Sequence, residues 1–193
     1  GVTQYWALID ADGSGSAGLE ELDVEGCTRI TDDAVAAVVD SSPALEKLNL
    51  NECGVSDDGL AHVAECTKLT RLAIGRTRVS DSGVSKLANL VELDVSYCAA
   101  ITDSAVKAIA ARCAGLTVLD LGGCARVTDA GLAALSGCAL EELDIAGCVE
   151  ISDIGVGHLA QCAELLTLWL GRCVKVTDTG LERLAGGQAR LLG

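Results

Sequence analysis

Aliphatic residues recur along the chain as one short phrase, leucine-x-x-leucine-x-(Leu/Val/Ile). It begins at Leu19, Leu45, Leu69, Leu90, Leu116, Leu140 and Leu165, and Leu191 stands where an eighth would start. Successive starts lie 21 to 26 residues apart, a period that predicts stacked coils of a solenoid. Within one phrase Leu119 and Leu121 are two residues apart, so both point to the same side of a short strand, and Val118, Asp120 and Gly122 point to the other. After Cys124 the chain turns, and Val127 re-enters the core.

A helix start follows in every coil. Thr31-Asp32, Ser56-Asp57, Ser80-Asp81, Thr102-Asp103, Thr128-Asp129, Ser152-Asp153 and Thr177-Asp178 recur at equivalent places. The hydroxyl can cap an orphan amide of the first turn, and the Asp complements the positive end of the helix dipole. Leu132 and Leu135 then face inward together. Each helix spans about ten residues, too short to be stable without its neighbours. The third coil is the shortest, so its helix from Asp81 to about Ala88 must be cut short. A change of curvature is expected near residues 53–90.

Cysteine occupies one position of six coils, at Cys27, Cys53, Cys98, Cys124, Cys148 and Cys173, with Thr77 in the third. Cys66, Cys113, Cys138 and Cys162 precede the next phrase by two or three residues. Thiols repeated at equivalent positions read as small buried side chains. All ten are expected to be free, in a reducing, cytoplasmic setting. A line of stacked cysteines does not converge on one centre as a zinc site must.

At this point the residues carry a family likeness. "LDLGGCARVTDAGLAAL" and "LDIAGCVEISDIGVGHL" resemble the cysteine-containing subclass of leucine-rich repeats, known from F-box/LRR substrate receptors and related cytosolic proteins. The match runs from residue 19 to 192. The resemblance implies an α/β leucine-rich repeat solenoid of about seven coils, curved, with parallel strands on the concave side and short helices on the convex side. It also implies binding of other proteins. No F-box-like helical segment is evident before Leu19, which leaves ubiquitin-ligase adaptor function to a longer parent protein. Residues 19–193 are thus expected to form the repeat domain, and residues 1–18 a capping helix and a Gly/Ser connector.

Composition narrows the function. Of 193 residues, 28 are acidic and 14 basic, a formal charge of −14. That field repels phosphate backbones and argues against nucleic-acid binding. No run of 18 apolar residues is present to span a membrane. On the strand positions facing the open side, twelve side chains are acidic and four basic, so the expected partner is a protein with a basic surface. The structural alternative is a spacer or assembly segment of a larger multidomain protein.

The residues that disobey the repeat are the candidate partner-binding set. Trp169 breaks a row of aspartates, and with Leu166, Arg172 and Tyr97 it offers an anchor for an interface. Arg71 and Arg76 form a basic island on the third coil, expected to pair with neighbouring glutamates. Glu21, Asp94 and Asp144 represent the acidic face. Asp10, Asp12, Ser14, Gly15 and Glu21 follow calcium-loop spacing, but Glu21 already belongs to the first strand. A connector after a helix holding Tyr5, Trp6, Leu8 and Ile9 is the favoured reading there, with no metal and no cofactor. His62 and His158 have no partners for nucleophilic catalysis, and no phosphate-binding glycine loop occurs, so no enzyme is expected.

Overall fold

The computed structural model describes residues 18–191, with side chains placed as far as residue 187. The capping helix around Tyr5 and Trp6, and the calcium-like positions Asp10, Asp12, Ser14 and Gly15, lie outside the described residues. Seven three-residue strands form one parallel sheet in sequence order. They are β1 (Glu21–Asp23), β2 (Lys47–Asn49), β3 (Arg71–Ala73), β4 (Glu92–Asp94), β5 (Val118–Asp120), β6 (Glu142–Asp144) and β7 (Thr167–Trp169). The helices are α1 (Asp32–Ser41), α2 (Asp57–Val63), α3 (Asp81–Val84), α4 (Asp103–Arg112), α5 (Asp129–Leu135), α6 (Asp153–Leu159) and α7 (Asp178–Leu191). Each strand therefore pairs only with the coils before and after it, and each helix packs on its sequence neighbours.

The leucines of the phrase form the inner layer. Leu48, Leu72, Leu93, Leu119 and Leu143 stack in register and are nearly inaccessible. Val84, Val106, Leu132 and Val156 close the core from the helical side. Because identical small layers repeat, no large aromatic is needed to fill a centre.

The Ser/Thr-Asp pairs do more than begin helices. The hydroxyls of Ser56, Ser80, Thr102, Thr128 and Ser152 do accept from an amide of the first turn, whereas Thr31 makes no such side-chain bond. The six aspartates from Asp32 to Asp153, however, reach into the following coil. Asp32 accepts from the Ser56 amide (2.8 Å) and hydroxyl (2.6 Å), and Asp81 does the same with Thr102 at 2.8 and 2.5 Å. Asp129 holds Ser152 at 2.8 and 2.6 Å. The expected local dipole role is thus only half of the function, because the carboxylate also latches one coil to the next. A glycine three residues after the hydroxyl makes room: a Cβ on Gly59 would meet the Asp32 carboxylate at 2.5 Å.

The helices do not share one length. The third coil compresses α3 to four residues, and Arg112 bridges the gap by donating from Nε to the Leu87 carbonyl at 3.1 Å. At the other end α7 runs for 14 residues, so Leu191 continues a helix and does not open an eighth strand phrase. Gly187 lies in this extension. Its Cα sits so close to the residue that ends α6 that a Cβ would meet the Ala160 backbone at 3.0 Å, so the lack of a side chain lets α7 lie along its neighbour.

Most cysteines behave as small buried donors. The thiols of Cys98, Cys124, Cys148 and Cys173 donate to carbonyls of the preceding coil at 3.1–3.2 Å. Thr77 differs: its hydroxyl donates within its own coil, to Ile74 at 2.6 Å, the carbonyl that also accepts the Cys98 thiol of the next coil. All ten cysteines are free, and Cys27 departs from the expectation by being exposed. It belongs to the first coil of the described sheet, and among the described residues no strand precedes that coil.

Candidate protein-binding face

The strand side chains that point away from the leucines form two rows. One is Glu21, Lys47, Arg71, Glu92, Val118, Glu142 and Thr167, each beside the next. The other is Asp23, Asn49, Ala73, Asp94, Asp120, Asp144 and Trp169. Adjacent members are one strand spacing apart, about 4.8 Å, so charges within a row feel one another.

The first row neutralises itself over β1–β4. Lys47 pairs with Glu21 and Arg71 with Glu92, both at 2.9 Å. Arg76 adds an ion pair to Glu52 at 3.5 Å. The basic island therefore spends its charge inside the molecule, in exposed pairs that contribute little to stability. A shallow groove of about 400 Å³ runs over this part of the sheet, from Glu21 to Asp120.

The second row is different. Asp94, Asp120 and Asp144 stand side by side with no cation paired to them among the described residues. One oxygen of each accepts a backbone amide two residues on, from Ser96 (2.8 Å), Gly122 (2.7 Å) and Ala146 (2.7 Å). These local turns explain why an aspartate recurs there. The second oxygen of Asp94 accepts from Asn51 Nδ2 at 2.9 Å, across the third coil, where Gly75 has no Cβ to crowd either side chain. Burial, reinforced by Asp94 and Asp144, pushes the Asp120 carboxyl up to about 6.

A third row escaped the sequence reading. The residue before each coil's cysteine position has a left-handed backbone: Gly26, Glu52, Arg76, Tyr97, Gly123, Gly147 and Arg172, with φ between 56° and 77°. Glycine adopts that conformation without strain. Glu52, Arg76, Tyr97 and Arg172 do so at a cost of roughly 1 kcal/mol each. The alternation of Gly with large polar residues at this place was the available signal. The side chains line one rim of the sheet. The Arg76 guanidinium lies over the Tyr97 ring at 4.0 Å, and that ring in turn lies over Gly123, where a Cβ would meet it at 2.5 Å.

The four anchors expected to act together are consequently divided. Leu166, Trp169 and Arg172 share the last coil, where Leu166 is 81% and Trp169 46% exposed. Tyr97, 53% exposed, is three strands away, about 14 Å, and belongs with Arg76. Glu21 lies in β1 and pairs with Lys47. Among the described residues no three His, Cys, Asp or Glu side chains gather to hold a metal ion. No helix among them is long and apolar enough to cross a membrane.

A parallel sheet with one open face and short helices behind it defines a repeat solenoid. The Leucine Rich repeat family model matches residues 41–64, 65–88, 86–110, 113–136 and 138–160. The chain belongs to the leucine-rich repeat family, and its repeats are of the cysteine-containing kind. F-box/LRR-repeat protein 12 of Arabidopsis thaliana is 34% identical over 86 residues, which cover 42% of this chain and 22% of that protein. Among solved structures, the yeast Rad7 and Elc1 complex contains a chain that superposes with a TM-score of 0.52 at 16% identity, over 91% of this chain and 56% of the other. An internalin (inlF) from Listeria monocytogenes str. 4b F2365 gives 0.52 at 18% identity, over 79% and 48%. These likenesses at low identity show the fold. The chain spans about a fifth of the length of its plant relative.

Proposed function

We propose that this chain is a protein-interaction module that binds a basic surface of a partner protein through its acidic concave sheet. The row Asp94–Asp120–Asp144 carries the reading. Three neighbouring carboxylates without a paired cation among the described residues repel one another, and a cationic partner relieves that cost. The candidate contact residues remain Trp169, Tyr97, Arg172, Leu166, Arg71, Arg76, Glu21, Asp94 and Asp144. The open sheet has no means of excluding water from a reaction, which supports binding over catalysis. A cytoplasmic setting is proposed on the ten free thiols, and the same acidic charge disfavours nucleic acid as a partner.

A second reading follows from the F-box/LRR relative. Here the coils are the substrate-recognition part of a longer ubiquitin-ligase adaptor, with the same face presented to its substrate.

Fluorescence polarisation with an arginine/lysine-rich peptide tests the first reading. Glu21→Gln/Asp94→Asn/Asp144→Asn removes charge while the amides keep an acceptor for each turn, and it is expected to weaken binding at least tenfold. Trp169→Ala is expected to weaken it separately. Unchanged affinity in both variants overturns the proposal.

A further inference from the structure

Between Tyr97 and Trp169 the concave face changes character. Just after β5 and β6 the rim side chains disappear: Gly122, Gly123, Ala146 and Gly147 leave a floor with nothing larger than a methyl group. Above Gly147 the space is open, since a Cβ there would meet only the Gly123 backbone, at 3.5 Å. Asp120 and Asp144 stand along one side, and each spends Oδ1 on its own turn. Their Oδ2 atoms have no protein donor among the described residues, yet neither is a buried orphan. Both are available to a ligand.

The two aromatic ends of this strip differ. Tyr97 is committed, because it already carries Arg76 and lies over Gly123; it forms a wall. Trp169 has no cation stacked on it among the described residues and is half exposed. It is the register neighbour of Asp144. Acidic oxygens on one side, an indole at one end and a flat floor below are the elements that favour a planar cation.

We infer that this strip is the docking surface for a single arginine on an extended segment of a partner protein, seated over Gly147 between Asp120 and Asp144 and against Trp169. Charge complementarity selects the partner's sign, and this inference rests on the basic-partner reading above. Arginine is selected over lysine because its fork can donate to both carboxylates while its plane meets the indole. The adjacent Oδ2 atoms belong to strands about 4.8 Å apart, a gap one guanidinium can bridge. Arg172 holds the rim position next to Gly147 in the following coil, so its charge limits the seat to the Asp120–Asp144 side. The floor matters equally, since any side chain at Gly147 would fill the seat and would have to hold the strained left-handed backbone (φ 77°).

The test is a heteronuclear NMR titration of the whole chain with a capped Gly-Ser-Arg-Ser-Gly peptide, its lysine counterpart and its citrulline counterpart. The arginine peptide is expected to move the amides of Gly122, Ala146 and Gly147 and the indole of Trp169. Lysine should bind about fivefold more weakly, and citrulline should not bind. Asp120→Asn/Asp144→Asn and Trp169→Ala should each weaken the arginine peptide about fivefold or more, with the thermal midpoint confirming that each variant is folded. Glu65→Gln, exposed at the end of α2 on the helical side, should change affinity less than twofold. Shifts centred on β1–β3, equal affinity for lysine, or indifference to Trp169→Ala overturns the arginine seat while the broader acidic-face reading stands. Absence of binding by the single-arginine peptide also overturns the seat. If the arginine/lysine-rich peptide fails as well, both fall.

Discussion

The carboxylate of Asp103 accepts the amide of Thr128 at 2.8 Å and its hydroxyl at 2.7 Å, tying the start of α4 to the start of α5. The Thr128 hydroxyl in turn accepts from the Ala130 amide at 3.2 Å. One residue therefore caps its own helix and takes the latch from the coil before. Since the coils contact only their neighbours, such links carry cooperativity from one layer to the next. Asp103→Ala should lower unfolding free energy by about 1–3 kcal/mol, because two part-buried donors lose a charged acceptor. Asp103→Asn should lose less, keeping one acceptor oxygen. Urea denaturation monitored by circular dichroism checks both, and an Ala variant as stable as wild type would remove the latch from the account.

How much of this was legible beforehand depends on how far apart the interacting atoms lie in the chain. The seven leucine phrases placed all seven strands, because inward-facing Leu48, Leu72 and Leu93 are dictated by local alternation. Asp103 and Thr128 are 25 residues apart, so their bond exists only after the coils have stacked. Its trace was the glycine of Thr128-Asp129-Ala-Gly131, where a Cβ would press on Asp103 at 2.5 Å. Ala105 occupies that place in the fourth coil, so the trace is imperfect. Tyr97 and Trp169 looked like one set because both are aromatic exceptions. Register separates them, and the left-handed row that joins Tyr97 to Arg76 follows from backbone angles that no hydrophobic pattern encodes.

The shortened third coil makes a second prediction. Arg112 donates to Leu87 from Nε and, more weakly, to Lys86 at 3.4 Å, while the Asn89 amide donates to the Arg112 carbonyl at 3.2 Å. One residue of α4 thus replaces helical bonds that α3 is too short to make. Arg112→Ala should cost about 1–2 kcal/mol. Hydrogen exchange should accelerate first at residues 84–90, and uniform acceleration along the whole chain would contradict the local role.

The thiol row predicts selective chemistry and an alkaline limit. Cys27 is exposed, whereas Cys98, Cys124 and Cys148 are buried donors. Iodoacetamide under native conditions should label Cys27 first and leave those three intact until unfolding. Burial, with Cys173 beside it, pushes the Cys148 thiol from an ordinary 9.0 up to about 12. The folded state thus holds the neutral thiol, while the unfolded chain ionises. Stability from this group is complete below about pH 9 and declines as pH rises from 9 towards 12. Denaturation midpoints at pH 8 and pH 10.5 should differ in that direction, and Cys148→Ala should reduce the difference.

Asp120 has the same consequence at lower pH. Burial first, and then Asp94 and Asp144, raise its carboxyl from 3.8 to about 6. A raised acid favours its neutral form in the fold, so its contribution is present below about pH 4 and lost as pH rises through 6. At pH 7.5 the charged group burdens the native state. Because the side chain is partly exposed, solvent screening reduces that burden to about 1 kcal/mol. Asp120→Asn keeps an acceptor for the Gly122 amide and removes the charge. It should therefore raise the thermal midpoint at pH 7.5 and leave it nearly unchanged at pH 4. A stabilised protein that binds a basic peptide less well would mean that the row is retained for recognition at the expense of stability. If Asp120→Asn instead destabilises at pH 7.5, the carboxylate is held by a favourable contact, and its repulsion with Asp94 and Asp144 does not govern this face.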